Sequence, residues 1–139
     1  MVDVKIKLSA LWAARMLTGL QGDTLRSSDA VSLKELIAGE TAVPVTRELL
    51  LVFAILFVIP IFMVFLSVAL KDKANRRANI ILGIFFVGFD LLFLILLLFV
   101  LPASPAYDIF LAFVYPVFTG LVVWHAWKWP KQERVEVTP

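Results

Sequence analysis

The chain has 139 residues, of which 61% are hydrophobic and 17% charged; with a mean hydropathy of +0.93 it is too apolar for an ordinary soluble domain and too short for more than one. The net charge is +2, and no basic patch is interleaved with stacking aromatics, which excludes nucleic acid as a partner. Without a cysteine there are no disulfides, thiolate metal sites, Cys nucleophiles or quinone-linked dithiol chemistry, and the single His excludes a bis-histidine haem within one chain.

The first predicted membrane helix covers Ile6–Gly22. It is short and carries Arg15, but Lys5 and Lys7 can snorkel to the headgroups and extend its usable length. A cleaved signal peptide competes with this reading; Gln21, Gly22, Asp23 and Arg26 follow without a small-residue cleavage pattern, which favours the helix. The segment Asp23–Val45 is expected as an external loop containing a short helix. Ser32 followed by Glu35 has the capping-box pattern, Gly39 is a C-terminal stop, and Val31, Leu33, Leu36 and Ile37 give one apolar side. Such a helix lies over the outer mouth of the bundle as a lid, or in the interface plane.

The second span is expected at Leu49–Leu70, with Thr46 as N-cap, Glu48 in the first turn and Pro60 as an internal kink. The third runs from Asn79 to Leu101 and ends at Pro102. It is long enough to cross a bilayer at about 1.5 Å per residue, which puts Asp90 near the midplane. An ionisable group there costs at least a few kcal/mol, so it faces a bundle interior, a partner or water. The fourth span is Ile109–Trp127, with Pro116 inside it and Pro130 beyond. Residues 128–139 form a cytoplasmic tail, polar and short from Gln132 onward.

Loop charges orient the bundle. Lys5, Lys7, Lys71, Lys73, Arg76, Arg77, Lys128, Lys131 and Arg134 flank one side, Arg26, Lys34 and Arg47 the other. The positive-inside rule then puts both termini and the Lys71–Ala78 loop in the cytoplasm, in the inner (plasma) membrane. Trp124, Trp127 and Trp129 form an aromatic anchor at that interface, and Tyr107 marks the opposite one. The fold class is all-α integral membrane: a four-helix bundle with both termini cytoplasmic and a short external helix between spans one and two.

Inside the spans, projection at about 100° per residue puts Asn79, Gly83 and Asp90 within about 20° of one direction, with Arg76 and Phe86 about 40° to either side. Arg15 shares its face with Leu11, Gly19 and Gly22, small residues that permit close helix contact. By axial rise, Arg15 lies about 10 Å from the cytoplasmic side, Asp90 about 16 Å and Gln21 about 19 Å. A guanidinium can bridge from Arg15 to Asp90. The plain outcome is a buried ion pair that sets helix register; the sharper one is a site binding a cation, a proton or a polar ligand head. The intramembrane binding candidates are therefore Asp90, Arg15, Gln21, Asn79 and Gly83, with His125 and Asp23 as further candidates. His125 reads as an interfacial His with no metal-ligand spacing around it; Glu48 and Asp108 read as helix-start acids. No nucleophile elbow, phosphate loop or catalytic acid pair is present, so no catalytic residue, metal or cofactor is assigned.

The segments Lys-Leu-Ser-Ala-Leu-Trp-Ala at 7–13, Gly-Asp at 22–23, Leu-Lys-Glu-Leu at 33–36, Asn-Arg-Arg-Ala-Asn-Ile-Ile at 75–81 and Trp-His-Ala-Trp-Lys-Trp at 124–129 together resemble a family of small four-span prokaryotic membrane proteins of unknown function. A weaker resemblance is to DoxX-like four-helix membrane proteins. These resemblances imply a fold and a membrane location and no reaction. Three function classes fit the residues. One is an oligomeric transporter or channel component for a small solute, ion or proton, since four spans are too few for most transport paths. Another is a lipid or small hydrophobic ligand binder or accessory subunit. The third is a lipid-modifying enzyme, for which no group orienting Asp90 or His125 is evident. The expected partners are the lipid bilayer, a second copy of the chain and a small hydrophobic ligand.

Overall fold

The computed structural model describes residues 3–101 and 104–130. Among them there is no strand, and five helices follow in order: α1 (Val4–Ser28), α2 (Ala30–Ala38), α3 (Arg47–Ala69), α4 (Asp72–Ile95) and α5 (Ala106–Trp127). A π-helical turn, Leu96–Val100, continues α4 without a break. Three helices, Arg47–Ala69, Asp72–Val100 and Ala106–Trp127, are long and apolar enough to cross a membrane. α1 is not among these three, although it has 25 residues, because Lys5, Lys7, Arg15, Asp23 and Arg26 fall within it.

Local chemistry explains the helix ends. Asp3 caps α1 by accepting from Lys5 N at 3.1 Å. α1 continues six residues past the expected end at Gly22, because a helix ends where its hydrogen bonding is closed and not where apolar residues stop. Asp29 supplies that closure at both ends of a corner: its N–H donates to Arg26 O, while its carboxylate accepts from Val31 N at 3.1 Å and Ser32 Oγ at 2.9 Å. The expected capping box at Ser32 is therefore corrected to an Asp29 cap, with Ser32 as a second donor to it. Gly39 ends α2 as expected, at φ +72°, a left-handed conformation that glycine adopts without a Cβ penalty.

Thr46 caps α3 through Leu49 N at 3.1 Å, and Glu48 sits in its first turn. The loop expected at Lys71–Ala78 is much shorter: α4 begins at Asp72, whose carboxylate suits the positive end of the helix. Hydropathy marks the apolar length of this helix and misses its polar first turns. The terminator Pro102, the cations Lys131 and Arg134 and the tail 132–139 lie outside the described residues.

The long helices associate through stripes spaced three and four residues apart. α1 buries Leu8, Trp12, Arg15, Thr18 and Gly22; α4 buries Asn75, Asn79, Gly83, Phe86, Asp90 and Leu94; α5 buries Tyr115, Thr119, Val122 and Ala126, among others. The core draws on all four: Leu8 and Trp12 from α1, Met63 from α3, Phe86 from α4, Val122 and Ala126 from α5. α1 packs between α3 and α5, and α5 packs along α4. α3 and α4 meet more sparingly, at their shared hairpin and through Phe57 set edge-on to Phe89, with ring centroids 5.7 Å apart. The first half of α3 buries nothing; its buried residues begin at Pro60.

Gly83 permits the closest approach. A Cβ there would stand 2.8 Å from Val123 Cγ2, so the α4–α5 contact requires glycine.

Candidate functional site

Two polar networks are buried among apolar side chains. The first sits where α3 turns into α4. Trp12 Nε1 donates to Asn79 Oδ1 at 2.7 Å, and Ser67 Oγ donates to the same oxygen at 3.3 Å. Asn79 Nδ2 donates to Asn75 Oδ1 at 2.7 Å and Asn75 O at 3.0 Å, and Asn75 Nδ2 donates to Ser67 O at 2.6 Å. Each group answers another, so the network is a closed clasp joining α1, α3 and α4, with the satisfied donors and acceptors that burial demands.

The second network lies farther along α4. Arg15 donates to Asp90 in the bidentate manner that matches a guanidinium to a carboxylate: Nε to Oδ2 at 3.1 Å, and Nη2 to Oδ1. Thr119 Oγ1 donates to Asp90 Oδ2 at 3.1 Å. The side chains of Arg15 and Asp90 are 5% and 2% exposed, so the pair is screened from solvent. Three rings box the guanidinium, with Cζ 4.8 Å from the Phe86 centroid, 5.5 Å from Tyr115 and 5.9 Å from Phe57. The pair is electrically neutral, and Asp90 is fully engaged. Arg15 is not: its Nη1 reaches the Met16 sulfur at 3.9 Å, and a thioether is a weak acceptor. Met16 lies about 20° around α1 from Ser9, which donates to Val64 O of α3 at 2.7 Å. Met16, the residue this nitrogen reaches, therefore lies on the face of α1 turned to α3, and Phe57 of α3 is one of the three rings around the guanidinium.

At the end carrying the α1–α2 corner, Arg26 pairs with Asp23 and with Asp108, each at 2.5 Å. Burial works against the charge of Arg26, but the two carboxylates outweigh it and hold the guanidinium pKa above its ordinary value. Tyr107 donates to Asp29 Oδ2 at 2.7 Å, so the α1–α2 corner is tied to the start of α5. Hydrogen bonds from Tyr107 and then Ser32 hold the Asp29 carboxyl below its usual range.

At the opposite end, Lys5 Nζ donates to Leu70 O at 3.1 Å and pairs with Asp72 at 3.0 Å. Arg76 donates to Ala126 O and Trp127 O at 3.2 and 3.3 Å. The basic residues of the α1 start, the α3–α4 hairpin and the α5 end therefore gather at one end of the bundle.

Of the residues singled out in the sequence, Arg15 and Asp90 meet directly. Asn79 and Gly83 lie on the same buried stripe, but Asn79 belongs to the clasp and Gly83 to the α4–α5 contact. Gln21 is exposed and is no part of the interior: six residues from Arg15 carry it about 240° around the helix, which axial depth alone does not reveal. Asp23 is exposed and paired with Arg26. His125 lies in the last turn of α5, half-buried, about 9 Å along the axis from Thr119 and away from the ion pair. Asp108 serves as a helix-start acid and also receives Arg26.

None of Trp12, Asn75, Arg26, Ser67 and Thr119 is among the site residues that the sequence pointed to. The single Thr119 hydroxyl proton is shared between Asp90 Oδ2 and Tyr115 O, the latter 3.2 Å away. The four-residue spacing of Asn75, Asn79 and Gly83 was the one available signal for Asn75.

No characterised protein and no solved structure matches the chain, and the weaker likeness to DoxX-like proteins finds no match. Residues 3–136 match the family described as Family of unknown function (DUF6326), and the chain belongs to that family.

Proposed function

We propose that the protein is a four-span integral membrane protein of the cell's inner membrane, with both termini cytoplasmic, that takes up a neutral, largely apolar molecule from the bilayer onto Arg15. Support for the topology comes from the gathering of Lys5, Lys71, Lys73, Arg76, Arg77 and Lys128 at one end of the bundle. α1 crosses as the fourth span because its one mid-helix charge is neutralised inside by Asp90 and its polar stripe faces its neighbours. The apolar residues of α2 point outward, with Val31 67% and Ile37 80% exposed, while Ser32 turns toward Asp29 and Tyr107. That inside-out arrangement suits a helix lying in the outer interface.

The observation that carries the ligand is the Nη1 nitrogen of Arg15, nearly dry and bonded to nothing stronger than a thioether. Because Asp90 already cancels the charge, an anion would bring an unpaired charge into a low dielectric, whereas a carbonyl or hydroxyl oxygen would complete the guanidinium at no such cost. The sparse α3–α4 seam, closed by Phe57 against Phe89, is the side from which an acyl chain can reach that nitrogen. Both oxygens of Asp90 are engaged by Arg15 and Thr119, so a proton- or cation-transporting role would first require that pair to open.

The absence of cysteine makes single-cysteine labelling a clean test of topology. For the ligand, the protein in nanodiscs is photolabelled with a diazirine-bearing monoacylglycerol, with monoolein as competitor. Labelling is expected to concentrate on Phe53, Phe57, Phe85 and Phe89, to be competed by monoolein, and to vanish in Arg15→Met/Asp90→Leu. Labelling spread evenly over the lipid-facing surface and insensitive to Arg15 would refute the site. Loss of a proton-coupled flux in a folded Asp90→Asn protein would favour transport instead.

A further inference from the structure

The basic end of the bundle contains a cavity that neither network uses. It has a volume of about 560 Å³, and its lining includes Lys73, Arg76, Arg77 and Ile80 of α4 and Trp127 and Trp129 beyond the core of α5. The α4 residues lie within about 100° of one another around the helix, so a single face presents three cations above an apolar floor. Arg76 spends its donors on the carbonyls of Ala126 and Trp127, which holds the wall in place. Asp72 also lines the recess and pairs with Lys5 at 3.0 Å, so the three α4 cations Lys73, Arg76 and Arg77 outnumber the one carboxylate there. Trp127 is 66% exposed at the level where indole rings meet headgroups. Cations, an apolar floor and interfacial indoles in one recess are the combination that receives an anionic head with an acyl chain attached.

We propose that this recess binds the phosphate of an anionic phospholipid from the cytoplasmic leaflet, with Lys73 and Arg77 on the phosphate, Trp127 and Trp129 beside the glycerol and Ile80 under the first methylenes. The site rests on the membrane placement proposed above, and not on the ligand at Arg15. It gives the protein a preference for anionic bilayer and holds the α4–α5 ends together through a shared lipid.

The test uses the full chain in detergent, titrated with phosphatidylglycerol or phosphatidylcholine and read by native mass spectrometry. One saturable phosphatidylglycerol is expected, held more tightly than phosphatidylcholine. Lys73→Gln/Arg77→Gln, which alters two exposed side chains outside the core, is expected to bind it about 30-fold more weakly with an unchanged far-ultraviolet spectrum. Equal retention of the two lipids by the wild type, or an unaltered preference in the double variant, overturns the site. Displacement by millimolar inorganic phosphate overturns a lipid as the source of the anion. A protein that resists alkaline extraction from vesicles yet shows no lipid preference refutes this site alone, whereas one that fails to insert refutes the membrane placement beneath it.

Discussion

Removing one member of the Arg15–Asp90 pair should unfold the bundle far more readily than removing both. Arg15→Met leaves Asp90 with Thr119 as its remaining donor, at 3.1 Å. Asp90→Leu leaves the guanidinium with a thioether and three ring faces, the nearest centroid at 4.8 Å. With both side chains 5% exposed or less, water cannot replace the lost partner, and each single variant is expected to lose about 3–5 kcal/mol. The double variant Arg15→Met/Asp90→Leu buries no charge and nearly preserves volume, so it should lie within about 1–2 kcal/mol of the wild type. The coupling energy from the cycle should then be several kcal/mol, well above the few tenths expected of independent sites. Reversible unfolding in mixed micelles, followed by circular dichroism, measures all four corners. Additive single losses would refute the reasoning, because they would mean that each charge has another partner in the folded protein.

Three further outcomes follow from particular contacts. Gly83→Ala should destabilise by about 1–3 kcal/mol, since the new methyl would meet Val123 Cγ2 at 2.8 Å; Gly88→Ala, where a Cβ meets nothing within 4 Å, should be neutral or stabilising by up to about 1 kcal/mol in the same unfolding assay. Trp12→Phe removes the donor to Asn79 Oδ1 and should lose about 1–3 kcal/mol; an unchanged melting temperature would mean that the clasp is not needed. The Asp29 carboxyl is held below its ordinary value of 3.8, so its contribution to docking α2 is complete above that value and is lost as the pH falls through the lower folded one. Hydrogen exchange of the α2 amides should accelerate on acidification into that range, and Tyr107→Phe should shift the onset to higher pH; an unaltered profile in the variant would show that Tyr107 does not set it.

Much of the site was legible as a pattern before it was legible as contacts. The interior face of Asn79, Gly83 and Asp90 follows from 100° per residue, and the small residues beside Arg15 follow from the same geometry. Thr46 and Gly39 were readable because a cap depends on one side chain and one backbone conformation. Asp29 was not, because its role as both stop and start required knowing that α1 runs to Ser28. Gln21 was misplaced because depth was counted and azimuth was not. Arg26 and Asp108 are 82 residues apart, and no local rule joins them.

By itself, the sequence pointed to an all-helical chain with four candidate spans, the first of them short and carrying Arg15, a carboxylate inside the third, and cations concentrated at the helix ends. Those properties are local, set by composition and by the period of a single helix. Only the tertiary structure decided that α1 packs between α3 and α5, that Arg15 spans the bundle to Asp90 with Thr119 as third member, and that Trp12 closes the clasp on Asn79. The physical reason is that a buried polar group specifies that it must be satisfied, and leaves its partner to whichever helix the packing brings within 3 Å or so.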